Sequence, residues 1–163
     1  MKVTVHPSEI SGEIKAIPSK SMAHRLLICG AMTEGISRIR CTSSSEDIEA
    51  TIRCLRAMGS NVQKIGNYYI VPKVKVHAGQ TVFLDCGESG TTLRFMMCIA
   101  AGIGLCARFE GSQRLFERPL SPLEEVLTQH GIAYSCAYAV ELSLQTALMA
   151  IDSPVKPVFL SSQ

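Results

Sequence analysis

The chain has no lysine- or arginine-rich run, no C-x-x-C pair and no apolar stretch long enough to cross a bilayer, and each absence removes a class of function. Its 16 Lys and Arg against 14 Asp and Glu leave a formal charge of +2 and a pI near 8.2. That balance is too mild for nucleic-acid binding by bulk electrostatics, so any anion must be met by a local site. The seven cysteines (Cys29, Cys41, Cys54, Cys86, Cys98, Cys106 and Cys136) are odd in number and lie mostly in apolar runs. They read as buried thiols in a reducing cytoplasm rather than as a disulfide framework or a zinc site. The amino terminus "MKVTVHPSEI" lacks an apolar signal core, and "MMCIAAGIGLCA" is too short to span a membrane. A soluble, cytosolic protein is expected. With 47% hydrophobic and 18% charged residues among 163, the composition is that of one globular domain or a piece of a larger one.

What is present is a repeated order of elements. "SKSMAHRLLICGAMTEG" carries apolar residues at Met22, Leu26, Leu27 and Ala31 and stops at Gly35, which predicts an amphipathic helix with Ser19 or Ser21 near its cap. A short strand "ISRIRC" follows. In "SSSEDIEATIRCLRAMG" serines precede Glu46 and Asp47, a face of Ile48, Ile52 and Leu55 follows, and Gly59 ends the best-marked helix of the chain. "NVQKI" and "YYIVP" around "GN" give a hairpin signal, and "TVFLDC" reads as a buried strand. The order then restarts with a buried helix in "GTTLRFMMCIAAG", a strand in "LCARFEG", a helix in "SPLEEVLTQHG" and a strand in "IAYSCAYAV". Two βαβαββ-like units offset by roughly 70 residues account for this economically. Beyond Val140 the pattern decays, because "ELSLQTALMAIDSPVKPVFLSSQ" begins like a helix and ends in a Pro-interrupted tail. The chain is expected to stop in mid-fold.

Three stretches carry candidate chemistry. At the first helix mouth, Lys20 and Ser21 stand at the positive end of a helix dipole, and Arg25 lies one turn beyond Ser21, on the same face. Together they could grip a carboxylate or phosphate; equally, Ser21 could be only a cap and the two cations solvated, with His24 a surface residue. "DCGESGTTLRF" places glycines at a strand-to-helix turn, where successive N–H groups can form an anion-binding nest, and Arg94 repeats the offset of Arg25. No Lys follows the second glycine, so this is not a Walker A loop, and Glu88 could be a favourable carboxylate at a helix start. "GSQRLFERPLSP" reads as a loop carrying Arg114, Glu117 and Arg118, the last held in extended geometry by Pro119.

In order and approximate spacing, "SKSMAHR", "GESGTTLRF" and "RLFERPLSPL" resemble the enolpyruvyl transferases, and within them the amino-terminal part of the 5-enolpyruvylshikimate-3-phosphate synthases, from about Val5 to Ser135. The resemblance implies an α/β fold of repeated βαβαββ units, with this chain holding about two of the three units of the first domain. Residues 19–140 would be that partial domain, 1–18 a strand and linker that crosses to the second domain and pairs poorly here, and 141–163 a poorly matching tail. The implied reaction transfers the enolpyruvyl group of phosphoenolpyruvate to shikimate 3-phosphate and releases phosphate, with no metal or organic cofactor. By motif, Lys20 would touch both substrates, Ser21 and Arg25 would bind shikimate 3-phosphate, and Gly90 with Thr91 and Arg118 would hold phosphoenolpyruvate. Arg94 and Asp47 match nearby positions with less defined roles. The terminal Ser161, Ser162 and Gln163 echo a Ser-Ser-Gln motif that binds shikimate 3-phosphate.

The family's proton-transferring carboxylates lie in its second domain, so no catalytic acid or base is assigned in this chain and little activity is expected of it alone. Two alternatives stand beside that reading. One is a non-catalytic fragment that binds phosphorylated ligands or complements a second-domain chain. The other is a UDP-N-acetylglucosamine enolpyruvyl transferase, disfavoured because Ser21 stands where that enzyme carries Asn after the Lys.

Overall fold

Serines start the main helices, as their short side chains can accept the N–H groups that a first turn leaves unpaired. In the computed structural model, which describes residues 2–4, 6–138 and 146–152, Ser19 caps α1 (Lys20–Met32), Ser45 caps α2 (Glu46–Ala57) and Ser89 caps α3 (Gly90–Ile103). The first turn of α2 also carries Glu46, Asp47 and Glu49, and its last turn Arg56, an arrangement matched to the helix dipole. α3 ends on Gly104 in the left-handed conformation, φ 69°, which a side chain would oppose.

The strands form two sheets. β1 (Ile36–Arg40), β2 (Gln63–Ile65) and β3 (Tyr68–Pro72) make an antiparallel sheet of order β1-β3-β2, with the Gly66-Asn67 turn closing the β2–β3 hairpin. β4 (Thr81–Asp85), β5 (Cys106–Ser112), β6 (Ala133–Tyr138) and β7 (Thr146–Asp152) make a sheet of order β4-β5-β7-β6, in which β4 alone runs parallel to its neighbour. Between β5 and β6 lie the short α4 (Gln113–Phe116) and α5 (Leu123–Gln129). Setting β4 aside, β5-β7-β6 repeats the order β1-β3-β2. The repeated unit of the sequence is therefore also a repeat of topology.

One apolar core runs through both units. Leu55 and Met58 of the first unit and Leu84, Leu93, Met96, Met97 and Phe109 of the second are fully buried in the same cluster, each contributing about 1.5–3 kcal/mol by leaving water. The layer of α2 lies between α1 and α3, touching both. Their amino-terminal ends are brought together by this packing.

Several expectations need correction. Met22 and Leu26 are 55% and 44% exposed, and the buried face of α1 is Ala23, His24, Leu27, Ile28 and Ala31 instead. This helix is apolar on two sides, so periodicity alone does not choose the packed one. His24 is accordingly buried, not superficial. Cys29 and Cys98 are exposed and Cys106 is half-buried, whereas Cys41, Cys54 and Cys86 are buried. The "GSQRLF" stretch contains α4, capped by Ser112 Oγ, because Ser112 places an acceptor three residues before Leu115 N. In the tail, Thr146–Asp152 is strand rather than helix; pairing on both sides, with β5 and β6, overrides local helix preference. Residues 2–4 and 6–18 carry no strand, and Ile10, Ile14 and Ile17 are exposed. Ser161, Ser162 and Gln163 lie outside the described residues.

Candidate functional site

Helix starts concentrate N–H groups and partial positive charge, and the fold brings three of them together. Lys20, the first residue of α1, reaches Asp47 in the first turn of α2, Nζ to Oδ2 3.0 Å. The backbone carbonyl of Asp47 in turn lies 3.3 Å from Thr92 Oγ1 in the first turn of α3. Asp47 thus stands at the junction of all three helices.

A cleft of ≈ 360 Å³ opens at this junction, lined by Asp47, Glu88, Ser89, Gly90, Thr91, Arg94 and Arg118. Gly90 is one of its lining residues and is itself buried. A methyl group there would come within 2.8 Å of an Arg94 guanidinium nitrogen and 3.3 Å of one of Arg118, so the two cations crowd the turn that Gly90 leaves open. Arg94 is held in place, donating to Gly90 O at 3.2 Å and to Pro119 O at 2.8 Å. The second bond ties α3 to the loop carrying Arg118. Arg94 braces that loop, while Arg118 faces the opening.

Ser21 and Arg25 are placed differently. They lie on the exposed side of α1, not among the cleft residues, and Arg25 folds back to donate to Ser21 O at 2.9 Å and to Ser21 Oγ. Its guanidinium also sits over the Phe95 ring, 5.3 Å from the centroid. That stacking links α1 to α3 and fixes the position of the cation. The charge pattern is mixed: Lys20, Arg94 and Arg118 are cationic, and Asp47 and Glu88 are anionic. An entering anion would exchange with Asp47 for Lys20, an exposed pair with little stability to lose.

Behind the cleft lies a polar layer that sequence reasoning missed. His24 Nδ1, Thr51 Oγ1 and Thr92 Oγ1 follow one another at 2.7 and 2.8 Å, one residue from each of the three helices. Burial lowers the pKa of His24, with Lys20 and Arg25 adding to this and Asp47 opposing it. The imidazole is therefore neutral at neutral pH in the folded protein, and stability declines as pH falls below the ordinary histidine range, where the unfolded chain takes up the proton first. A signal for His24 existed, since His24, Leu27, Ile28 and Ala31 share the i, i+3, i+4, i+7 spacing of a buried face. Cys86, just ahead of the glycine turn, has its thiol pushed far up by its hydrogen bond with Cys54 and by burial, so it offers no nucleophile. Among the described residues no group of His, Cys, Asp and Glu could hold a metal, and no helix is long and apolar enough to cross a membrane.

The family profile of EPSP synthase (3-phosphoshikimate 1-carboxyvinyltransferase) matches residues 5–158. The chain is 39% identical over 138 residues to the 3-phosphoshikimate 1-carboxyvinyltransferase of Clostridium botulinum (strain Alaska E43 / Type E3), covering 80% of this chain and 31% of that protein. It is 36% identical over 157 residues to that of Clostridium perfringens (strain 13 / Type A), covering 95% of this chain and 37% of that one. The chain therefore spans about a third of the length of these relatives. The solved EPSP synthase of Acinetobacter baumannii shares the fold, with a TM-score of 0.66 over 84% of this chain and 31% of its own, at 21% identity. On the match from residue 5 to residue 158, this chain belongs to the EPSP synthase family.

Proposed function

We propose that the cleft binds shikimate 3-phosphate and phosphoenolpyruvate as part of a cytosolic 3-phosphoshikimate 1-carboxyvinyltransferase. The observation that carries this reading is the convergence of three helix starts on Asp47, with Lys20, Arg94 and Arg118 around it. Two polyanions repel each other, and a reaction between them needs fixed positive charge that holds both without reorganising. Lys20, paired with the cleft residue Asp47, would touch both substrates. Ser21 and Arg25 would take the phosphate of shikimate 3-phosphate, Arg25 being pre-positioned by Phe95. Gly90, Thr91 and Arg118 would take phosphoenolpyruvate, with backbone N–H groups at the turn and the guanidinium opposite. Asp47 keeps Lys20 oriented until substrate arrives, and Arg94 keeps the Arg118 loop attached to α3.

The family's proton-transferring carboxylates belong to its second domain, so this reading calls for that domain to complete the site. Binding, not turnover, is the measurement suited to these 163 residues. Calorimetric titration is expected to show shikimate 3-phosphate binding near millimolar, about 4 kcal/mol, with shikimate at least about tenfold weaker, since a charge-assisted contact adds roughly 1.5–3 kcal/mol. Rising salt should weaken the phosphate ester and spare shikimate. Equal affinity for the two compounds would overturn the assignment.

A further inference from the structure

Ser89 stands where the cleft meets the buried hydroxyls. It lines the cleft yet is only 3% exposed, and behind it Thr92 and Thr51 are fully buried and His24 nearly so. The chain is continuous: Ser89 Oγ to Thr92 Oγ1 2.8 Å, Thr92 Oγ1 to Thr51 Oγ1 2.8 Å, Thr51 Oγ1 to His24 Nδ1 2.7 Å. Each hydroxyl has one proton to give, so choosing one donor fixes the others.

Thr92 Oγ1 has two acceptors besides Thr51, namely Ser89 Oγ at 2.8 Å and the Asp47 carbonyl at 3.3 Å. The Ser89 contact is the shorter of the two and its geometry suits Thr92 as the donor, so Thr92 gives its proton there. Thr92 must then accept from Thr51, and Thr51 must accept from an Nδ1–H of the neutral His24. Ser89 Oγ meanwhile also accepts from Thr92 N at 3.2 Å. Among the described residues both hydrogen bonds of this oxygen are with Thr92, and in both it accepts. Its own proton is left at the cleft wall, next to Gly90.

We propose that Ser89 is a ligand-binding residue whose hydroxyl donates to the anion in the cleft, and that His24 is the positioning residue that sets the direction of the chain from its far end. This rests on the reading of the cleft as an anion site, and it names a side-chain donor to which the sequence motifs assign no role. Two hydrogen bonds from Thr92, itself tied through Thr51 to His24, hold the oxygen in one place, so the donor costs little ordering when a ligand enters.

Phosphoenolpyruvate, and inorganic phosphate in a parallel series, can be titrated into the parent chain and into Ser89→Gly and Ser89→Thr, with thermal melts alongside. Glycine serves a helix start nearly as well as serine, so Ser89→Gly removes the donor, and the side-chain cap with it, at little cost to the helix. The expected result is about a tenfold loss of affinity in Ser89→Gly, the consequence of one missing bond to a charged group, and parent-like affinity in Ser89→Thr. Equal binding by parent and Ser89→Gly overturns the proposal and leaves the wider reading standing; a parent that binds neither anion overturns both. A second measurement needs no ligand and no variant: ¹⁵N shifts of the His24 ring distinguish its tautomers. A protonated Nδ1 supports the proposal, and a protonated Nε2 reverses every donor in the chain and overturns it.

Discussion

Arg25→Ala is expected to erase measurable shikimate 3-phosphate binding and leave the fold standing. Arg25 is the one arginine of α1, and its guanidinium could make a two-point, charge-assisted contact with a phosphate that contributes roughly 1.5–3 kcal/mol. In an open cleft whose total is about 4 kcal/mol, that loss moves dissociation from near millimolar to beyond practical titration. Stability should hardly respond. Arg25 is exposed, its bonds are to Ser21 of its own helix, and its stacking on Phe95 adds about 0.5–1 kcal/mol at such a site. Titration of the variant, with its melting curve as control, decides the matter. Parent-like affinity in Arg25→Ala would reduce the first helix mouth to a cap.

Gly111→Ala should fail in the opposite manner, through the fold. Gly111 lies in β5 where the added methyl would meet the Gly87 carbonyl oxygen at 2.6 Å and Leu115 Cδ2 at 2.7 Å. The backbone there has little room to move. Gly87 O already accepts from Ser112 N at 2.9 Å, and Leu115 is a buried residue of α4. Forcing the methyl in pushes the Gly87–Ser89 turn away from β5, at a cost of about 3 kcal/mol or more by the scale of overpacked cores. For a chain of this size that corresponds to a fall of roughly 6–12 °C in melting temperature. The same turn delivers Ser89 and Gly90 to the cleft, so phosphoenolpyruvate affinity should fall with it. A melting temperature within a degree or two of the parent would contradict the packing described for this strand.

How far the sequence could be read depended on how many physical signals agreed at each place. In α2, serine caps, acidic first turn, a single apolar face and a terminal glycine all coincide, and the helix lies where they put it. The Gly66-Asn67 hairpin is similar. In α1, by contrast, Met22 and Leu26 mimic a packed face that Ala23, Leu27, Ile28 and Ala31 supply; only the position of α2 selects between them. β7 was illegible because "TALMAID" is as acceptable in a helix as in a strand, and the choice belongs to β5 and β6. For the cleft, Gly90, Thr91, Arg94, Arg118 and Asp47 were singled out from separate stretches and share one opening, while Lys20 joins them through Asp47. Ser89 and the His24–Thr51–Thr92 chain were not singled out. Small hydroxyls near a helix start read as caps, and only the three-helix junction turns them into a connected path.

The central claim is that the starts of α1, α2 and α3 act as one anion site. Its most direct test is a ¹⁵N–¹H correlation titration of the chain with shikimate 3-phosphate, with shikimate as control. Saturable shifts are expected at the amides of Lys20, Ser21, Asp47, Ser89 and Gly90, with shikimate producing far weaker ones. Shifts scattered over the surface, confined to a single helix start, or equal for both compounds would contradict it.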